Sequence, residues 1–390
     1  MDKKFETKLV QAGRRPTRDY GFVNPPLTRG STVLYPDIAT KQAIGPRRLE
    51  PVEIYGLYGN ETHFALEAAL AELEGGSRAQ VTGSGLSAIT VPLLAYLKAG
   101  DHLLVPDSVY GPTRSFCDGM LRRYGVETSY YDPMISPDAL TPKFRPQTRV
   151  LFTESPGSHT FEVQDIPALA ALAHARGAKL FLDNTWGIGH FAPFEKGVDV
   201  SIHALTKYPG GHSDIILGAV VVNTDEDWHW LRNGALELGN YASPDDCWLA
   251  LRGLRTLAVR LKAQEAAGLR LAHWLADRPE IARVPHPALP SCPGHEIWAR
   301  DFTGSCGLFG AVFAPRYSAA QVVGFIDALT LFGIGASWGG YESLVLPTTG
   351  TIKRTEGTGS FEGHAVRFQV GLEHTDDLIA DLTQALDRLG

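Results

Sequence analysis

A chain of 390 residues with 44% hydrophobic and 20% charged side chains holds enough apolar material for a large buried core, which excludes a disordered, collagenous or fibrous protein. Thirty-six Lys and Arg against 43 Asp and Glu leave a net charge of -7 without long single-sign runs, so nucleic acid is set aside as a partner. Cys117, Cys247, Cys292 and Cys306 form no CxxC pair, which argues against a zinc cage or any other metal site, and for reduced thiols in a cytoplasmic setting.

Residues 1–61 are rich in Gly, Pro and Arg (Arg14, Pro16, Pro25, Gly30, Pro36, Pro51) and nearly without periodicity, which predicts an extended arm of the kind that embraces a second subunit. From Thr62, Leu66, Leu70 and Leu73 recur at helical spacing with Glu61, Glu67, Glu72 and Glu74 between them, and Gly75-Gly76 supplies a stop: an amphipathic helix is expected. Short apolar runs at 79–82, 102–106, 150–153, 179–182, 198–202 and 215–222 then alternate with helical stretches at 86–98 and 166–176. This alternation predicts an α/β fold around a mostly parallel sheet, with its site at the carboxyl ends of the strands. The most apolar segment, 86–97, is short and broken by Pro92, and no apolar run follows the basic N-terminal residues, so neither a membrane span nor a signal peptide is expected. A single long helix is predicted from Cys247 to about Ala272. After short strands and turns come a strand at 366–370 and a last helix, with Thr375 as its N-cap and Asp376 and Asp377 in its first turn. The expected division is an arm at 1–61, a large domain at 62–255 and a smaller C-terminal α+β domain at 256–390.

Gly83-Ser84-Gly85-Leu86-Ser87-Ala88 follows a strand-like run and opens a helix, so its amides would hold a phosphate. A dinucleotide site, with Asp107 reading a ribose, is the rival interpretation, although such folds start at or near this strand and here an arm and a helix precede it. Two further runs weigh against it. KLFLDN ends a strand in Asp183, and VDVSIHALTKYPGGH carries Lys207 just beyond the next strand, so the two charges share one edge of the sheet. A partly buried lysine has a lowered pKa and suits Schiff-base chemistry, and an acid facing it would hold the ring nitrogen of pyridoxal phosphate.

The segments SIHALTKYPGGHSD (201–214), ESPGS (154–158), FLDNTW (181–186), RGLRTLAVR (252–260) and SWGGYESL (337–344) resemble the Cys/Met-metabolism family of pyridoxal-phosphate enzymes, and the likeness runs from about Thr28 to the end. It implies the type I fold of PLP-dependent transferases, with a large, mostly parallel seven-stranded sheet and a smaller C-terminal α+β domain. It also implies a homotetramer built from dimers, with active sites at the dimer interface. By that resemblance Lys207 is the Schiff-base lysine, Asp183 the partner of the pyridine nitrogen and Tyr110 the ring that stacks on the cofactor. Ser84, Gly85, Leu86 and Thr206 form the phosphate cradle. Arg367, with Ser337 and Trp338 beside it, binds the substrate α-carboxylate, and Tyr55 reaches in from the adjacent subunit. Lys207, with Tyr110 or Tyr55 assisting, is the proton-moving group.

The implied reaction is carbon-sulfur β-elimination on L-cystathionine or a related cysteine S-conjugate, yielding a thiol, pyruvate and ammonia. A γ-lyase, a γ-replacement enzyme or a cysteine desulfhydrase would share most of these residues. From other classes, a nicotinamide dehydrogenase leaves Lys207 and SWGGYESL unexplained, and a non-catalytic paralogue leaves Lys207, Asp183 and Arg367 without a task. One departure stands out: the family's arm reads Tyr-x-Arg, whereas Tyr55-Gly56-Leu57-Tyr58 puts a leucine where the arginine would meet the neighbour's phosphate. Weakened cofactor affinity is the expected consequence, unless a group such as the Tyr58 hydroxyl takes over.

Overall fold

A computed structural model describes residues 3–17, 21–356 and 361–389. Its larger sheet contains β1 (Arg78–Thr82), β2 (His102–Pro106), β3 (Glu127–Tyr131), β4 (Thr148–Glu154), β5 (Lys179–Asp183), β6 (Val200–Ala204) and β7 (Gly218–Val222), in the order β1-β7-β6-β5-β4-β2-β3. All neighbours are parallel except β7, which runs antiparallel to both β1 and β6. Alternate residues feed two cores. Phe181, Val200, Ile202 and Val220 pack with Ile89, Leu93 and Leu231 on one face, while Leu180, Leu182, Ala219 and Val221 meet Leu66, Leu70 and Leu169 on the other.

The strand-like run at 215–222 pairs only from Gly218, because Leu217 is tied to Thr206 through its amide and carbonyl and Ile216 points to solvent. β3 lacks an apolar run of its own: ETSYY lies at the sheet edge, and only Tyr131 is fully buried, its hydroxyl donating to the Phe152 carbonyl at 3.0 Å.

The helix Glu61–Glu74 ends, as its glycines demand, on a left-handed Gly75 at φ 76°. Two of its acids face inward rather than to water. Glu67 accepts the Val81 amide at 3.1 Å, and burial pushes its carboxyl up to about 7; Glu74 meets His203 and Ser201, both at 2.7 Å. The predicted long connector is two helices, Pro244–Leu254 and Leu257–Ala276. Across the break Arg260 donates to the carbonyls of Gly253 (2.8 Å) and Tyr208 (2.7 Å), which ties the helix pair to the turn after β6.

The first sixty residues are not extended throughout, since they contain the short helices Phe5–Gln11 and Ile38–Ile44. Side-chain donors bind this segment by its carbonyls: Arg255 to Leu9 and Ala12, Trp248 to Pro25, Trp228 to Leu49 and Arg232 to Tyr58.

A second sheet follows, of β8 (Ile281–Arg283), β9 (Leu308–Phe313), β10 (Gly333–Ile334), β11 (Leu344–Pro347) and β12 (Ala365–Gln369), in the order β10-β11-β12-β9-β8. Phe309, Phe313, Phe368, Leu378 and Leu382 form its core with the last helix, Thr375–Leu386. That helix is capped one residue earlier than its sequence suggested, by His374 accepting from the Asp376 amide.

Candidate active site

Lys207 lies in the turn after β6, with its amide bonded to the Ala204 carbonyl at 3.1 Å. Its Nζ donates to Ser337 Oγ at 2.8 Å and stands 5.4 Å from the centre of the Trp338 ring. Ser337 has φ 88°, a conformation L-residues rarely adopt, and the turn it opens sits directly against the lysine backbone. At Gly339 (φ 81°) a Cβ would come within 2.6 Å of the Tyr208 amide nitrogen and 3.1 Å of Lys207 Cα, so glycine permits this approach. Burial and the nearby Arg367 cation lower the Lys207 amine to about 8, with Asp183 opposing them.

Asp183 ends β5, the strand beside β6. The Thr185 amide (3.1 Å) and hydroxyl (2.5 Å) both donate to Asp183 Oδ1, and Thr185 Oγ1 in turn accepts the Ala204 amide at 3.0 Å. Among the described residues nothing donates to Asp183 Oδ2, which leaves an acceptor for a ring N–H. Burial raises the carboxyl's pKa, while Thr185, His203 and Lys207 act against that rise.

Glu154, paired with Asp183 in the β4–β5 register, accepts the Tyr110 amide at 2.7 Å and the Ser158 hydroxyl. Burial and the adjacent Asp183 raise its carboxyl. Burial, Asp183 and Glu154 likewise raise the Tyr110 phenol, and Arg367 moderates the effect. Arg367, on β12 of the second sheet, donates to the Ser337 carbonyl at 2.9 Å. Lys207, Asp183, Tyr110, Arg367, Ser337 and Trp338 thus converge from both sheets.

Ser84 caps the helix Gly85–Tyr96, accepting the Ser87 amide at 3.0 Å, and the amides of Gly85 and Leu86 have no backbone partner among the described residues. A Cβ on Gly85 would lie 2.5 Å from the Ala204 Cβ, so this helix start is pressed against the end of β6. Thr206 is engaged differently: its hydroxyl donates to the Leu217 carbonyl (3.1 Å) and accepts the Leu217 amide (3.0 Å), so it could serve a phosphate only by turning its proton away from Leu217. A nucleophilic amine, an open carboxylate oxygen and free amides at a helix start fit pyridoxal phosphate.

Tyr55 is not brought to its own chain's Lys207: it is half-exposed in a separate cleft with Leu34, Tyr35 and Ile38. Leu57 lies in the turn Gly56–Tyr58. Asp107 is no ribose reader, because Arg114, Thr355 and Glu356 already occupy both of its oxygens. Reading the sequence residue by residue missed Glu154, Thr185 and Gly339. Glu154 and Thr185 lie at or just beyond strand ends next to apolar runs, the same signal that marked Asp183.

The family described as Cys/Met metabolism PLP-dependent enzyme matches residues 6–387. The chain belongs to that family. It is 41% identical to cystathionine beta-lyase MetC of Escherichia coli strain K12, across 100% of this chain and 99% of that one. With the cystathionine beta-lyase of Bordetella avium the identity is 43%, across 99% and 98%. Among solved structures, that of metB from Corynebacterium glutamicum superposes with a TM-score of 0.91 at 30% identity, covering 100% of this chain and 99% of the other. The family's cofactor is thus pyridoxal phosphate and the chain is an enzyme.

Proposed function

We propose that the protein is a carbon-sulfur β-lyase that cleaves L-cystathionine, or a closely related cysteine S-conjugate, to homocysteine or another thiol, pyruvate and ammonia. The observation that carries this reading is the Lys207 amine, lowered to about 8 and held by Ser337, with Asp183 on the neighbouring strand end and Arg367 behind Ser337. Bound pyridoxal phosphate supplies an electrophilic aldehyde and a protonated ring able to take up an electron pair from Cα.

The chain's residues divide the work. The amides of Gly85 and Leu86, with Ser84, would hold the phosphate, and Asp183 Oδ2 would accept the ring N–H, while Thr185 orients that carboxylate and opposes the rise that burial imposes on it. The Arg367 guanidinium receives the substrate carboxylate as a fork, beside Ser337 and Trp338, and so sets which Cα bond faces the lysine. Lys207 Nζ, neutral in an appreciable fraction near pH 7, takes the α-proton and then delivers a proton to the leaving sulfur. The Tyr110 phenol keeps its proton, which suits it to stack and to donate rather than to act as base.

Tyr55 would complete the site of a neighbouring copy, giving dimers that pair into a homotetramer. Leu34, 90% exposed, and Ile38, 68% exposed, support this, since apolar side chains so placed next to Tyr55 need a cover. An arm at 1–61, a cofactor-binding domain at 62–255 and a C-terminal domain at 256–390 are the proposed units. Four buried, unpaired cysteines support a cytoplasmic location.

The test is a product assay on cystathionine. Pyruvate with homocysteine is expected, and 2-oxobutyrate with cysteine would replace this reading by a γ-lyase. Lys207→Ala should abolish both turnover and the visible imine band.

A further inference from the structure

Among the contacts between the C-terminal part of the chain and the large sheet's loops is a short strap at 354–356, which meets the loops that follow β2 and β4. Arg354 Nη2 donates to Thr160 Oγ1 and to Glu162 Oε1, both at 2.7 Å, with only about a tenth of either charged side chain exposed. The amides of Thr355 and Glu356 donate to Asp107 Oδ2 at 2.6 and 2.7 Å, and the Thr355 hydroxyl to Oδ1 at 3.0 Å. The Asp107 side chain is fully buried, and Arg114 supplies its remaining donor.

These two anchors stand on the two loops that hold Tyr110. One loop follows β2 and runs from Asp107 to Tyr110; the other starts from Glu154, the last residue of β4, and contains Thr160 and Glu162. They are joined to each other by the Ser158 amide on the Ser108 carbonyl (3.0 Å) and the Tyr110 amide on Glu154 (2.7 Å). Gly157 lets them close, since a Cβ there would lie 2.7 Å from Ser108 Cβ and 3.2 Å from Glu162 Oε2. The strap is the third side of a closed hydrogen-bonded frame.

We propose that Arg354, with Asp107, is a positioning residue for Tyr110: the strap clamps the two loops together and so fixes where the Tyr110 ring lies over the cofactor. The inference rests on the placement of Tyr110 given above. The physical reason lies in the burial of the pair. Removing the guanidinium leaves the Glu162 carboxylate without its counter-charge in a dry site, and the loop carrying it must move to find water. Tyr110 is reached only through backbone, so the effect is on its orientation and not on its chemistry. Shifts of about 1 Å remote from the reacting atoms cost on the order of 100-fold in rate.

The experiment uses cofactor-loaded Arg354→Met, Arg354→Lys and Thr355→Val, with visible circular dichroism of the cofactor band, its absorbance, and kcat and KM as readouts. Expected for Arg354→Met is retained absorbance, a weakened dichroic band and a roughly 10- to 100-fold fall in kcat/KM. Arg354→Lys should recover part of both, and Thr355→Val should move both slightly in the same direction. Wild-type dichroism in Arg354→Met overturns the proposal, whether or not activity falls, because a staple between domains would leave the ring unmoved. If Arg354→Met does not fold, Glu162→Gln, which keeps the shape and removes the charge, carries the same expectation and the same refutation. Failure of the underlying reading is distinguishable: Tyr110→Phe would then leave kinetics unchanged, and Tyr110→Ala would leave the dichroic band unchanged.

Discussion

The Lys207 amine should titrate far below an ordinary lysine even before any cofactor is bound. With a midpoint of about 8 instead of 10.5, about one amine in eleven is neutral at pH 7, against about one in 3,000 for a solvated lysine, an enrichment of about 300-fold in the nucleophilic form. Burial is the largest cause, Arg367 adds to it and Asp183 opposes it. Arg367→Met should therefore raise the midpoint, and Asp183→Asn should lower it. The assay is trace acetylation of the apo-protein across pH 6 to 11, with the peptide carrying Lys207 quantified by mass spectrometry. Restricted access slows labelling at every pH but leaves the midpoint where it is. The same shift has a sign for stability. Between pH 8 and 10.5 the unfolded chain holds more protons at this site than the folded one. Its cost of about 3 kcal/mol, fully present below pH 8, is therefore relieved as pH rises toward 10.5. A labelling midpoint near 10.5, or one that Arg367→Met leaves unmoved, would refute the reasoning.

Gly339→Ala should lose at least about 2 kcal/mol in urea unfolding, from roughly 1 to 2 kcal/mol of left-handed backbone cost plus the approach to Tyr208 and Lys207, while Gly350→Ala, in open space, measures the backbone cost alone. Thr185→Val removes a hydroxyl bond to a carboxylate, worth about 1.5 to 3 kcal/mol, and strands the Ala204 amide; Asp183 should hold its proton to higher pH, seen as cofactor release at a higher pH than in the wild type. Leu57→Arg should tighten cofactor retention by roughly 10- to 100-fold in equilibrium dialysis if the arm meets a neighbour's phosphate, and unchanged retention would place the arm elsewhere.

The parts of this fold legible in the sequence are those where one physical demand dominates. Buried strands such as β2 and β7 need near-continuous apolar runs, and the charged residues at or just past the ends of β5 and β6, Asp183 and Lys207, mark the site edge because burying a charge is costly unless it has a partner. β3 was hidden because an edge strand buries little, so ETSYY reads as polar. Glu67 and Glu74 misled in the opposite direction. Their helix is packed on both sides, and its acids are satisfied by partners far away in sequence, the Val81 amide and His203, which no local spacing reveals. The same holds for Glu154: its importance lies in the Tyr110 amide, 44 residues away. Arg367 could be named only through resemblance, since a lone arginine in a strand has no local signature, and the structure supplies the physical context by setting it behind Ser337.

The central claim is that Lys207 tethers pyridoxal phosphate. Borohydride reduction of the purified protein, followed by digestion and mass spectrometry, tests it most directly. A phosphopyridoxyl mass on the peptide containing Lys207, and on no other lysine, is the predicted result. A protein that carries the cofactor on a different lysine, or takes up none when it is supplied in excess, would contradict it.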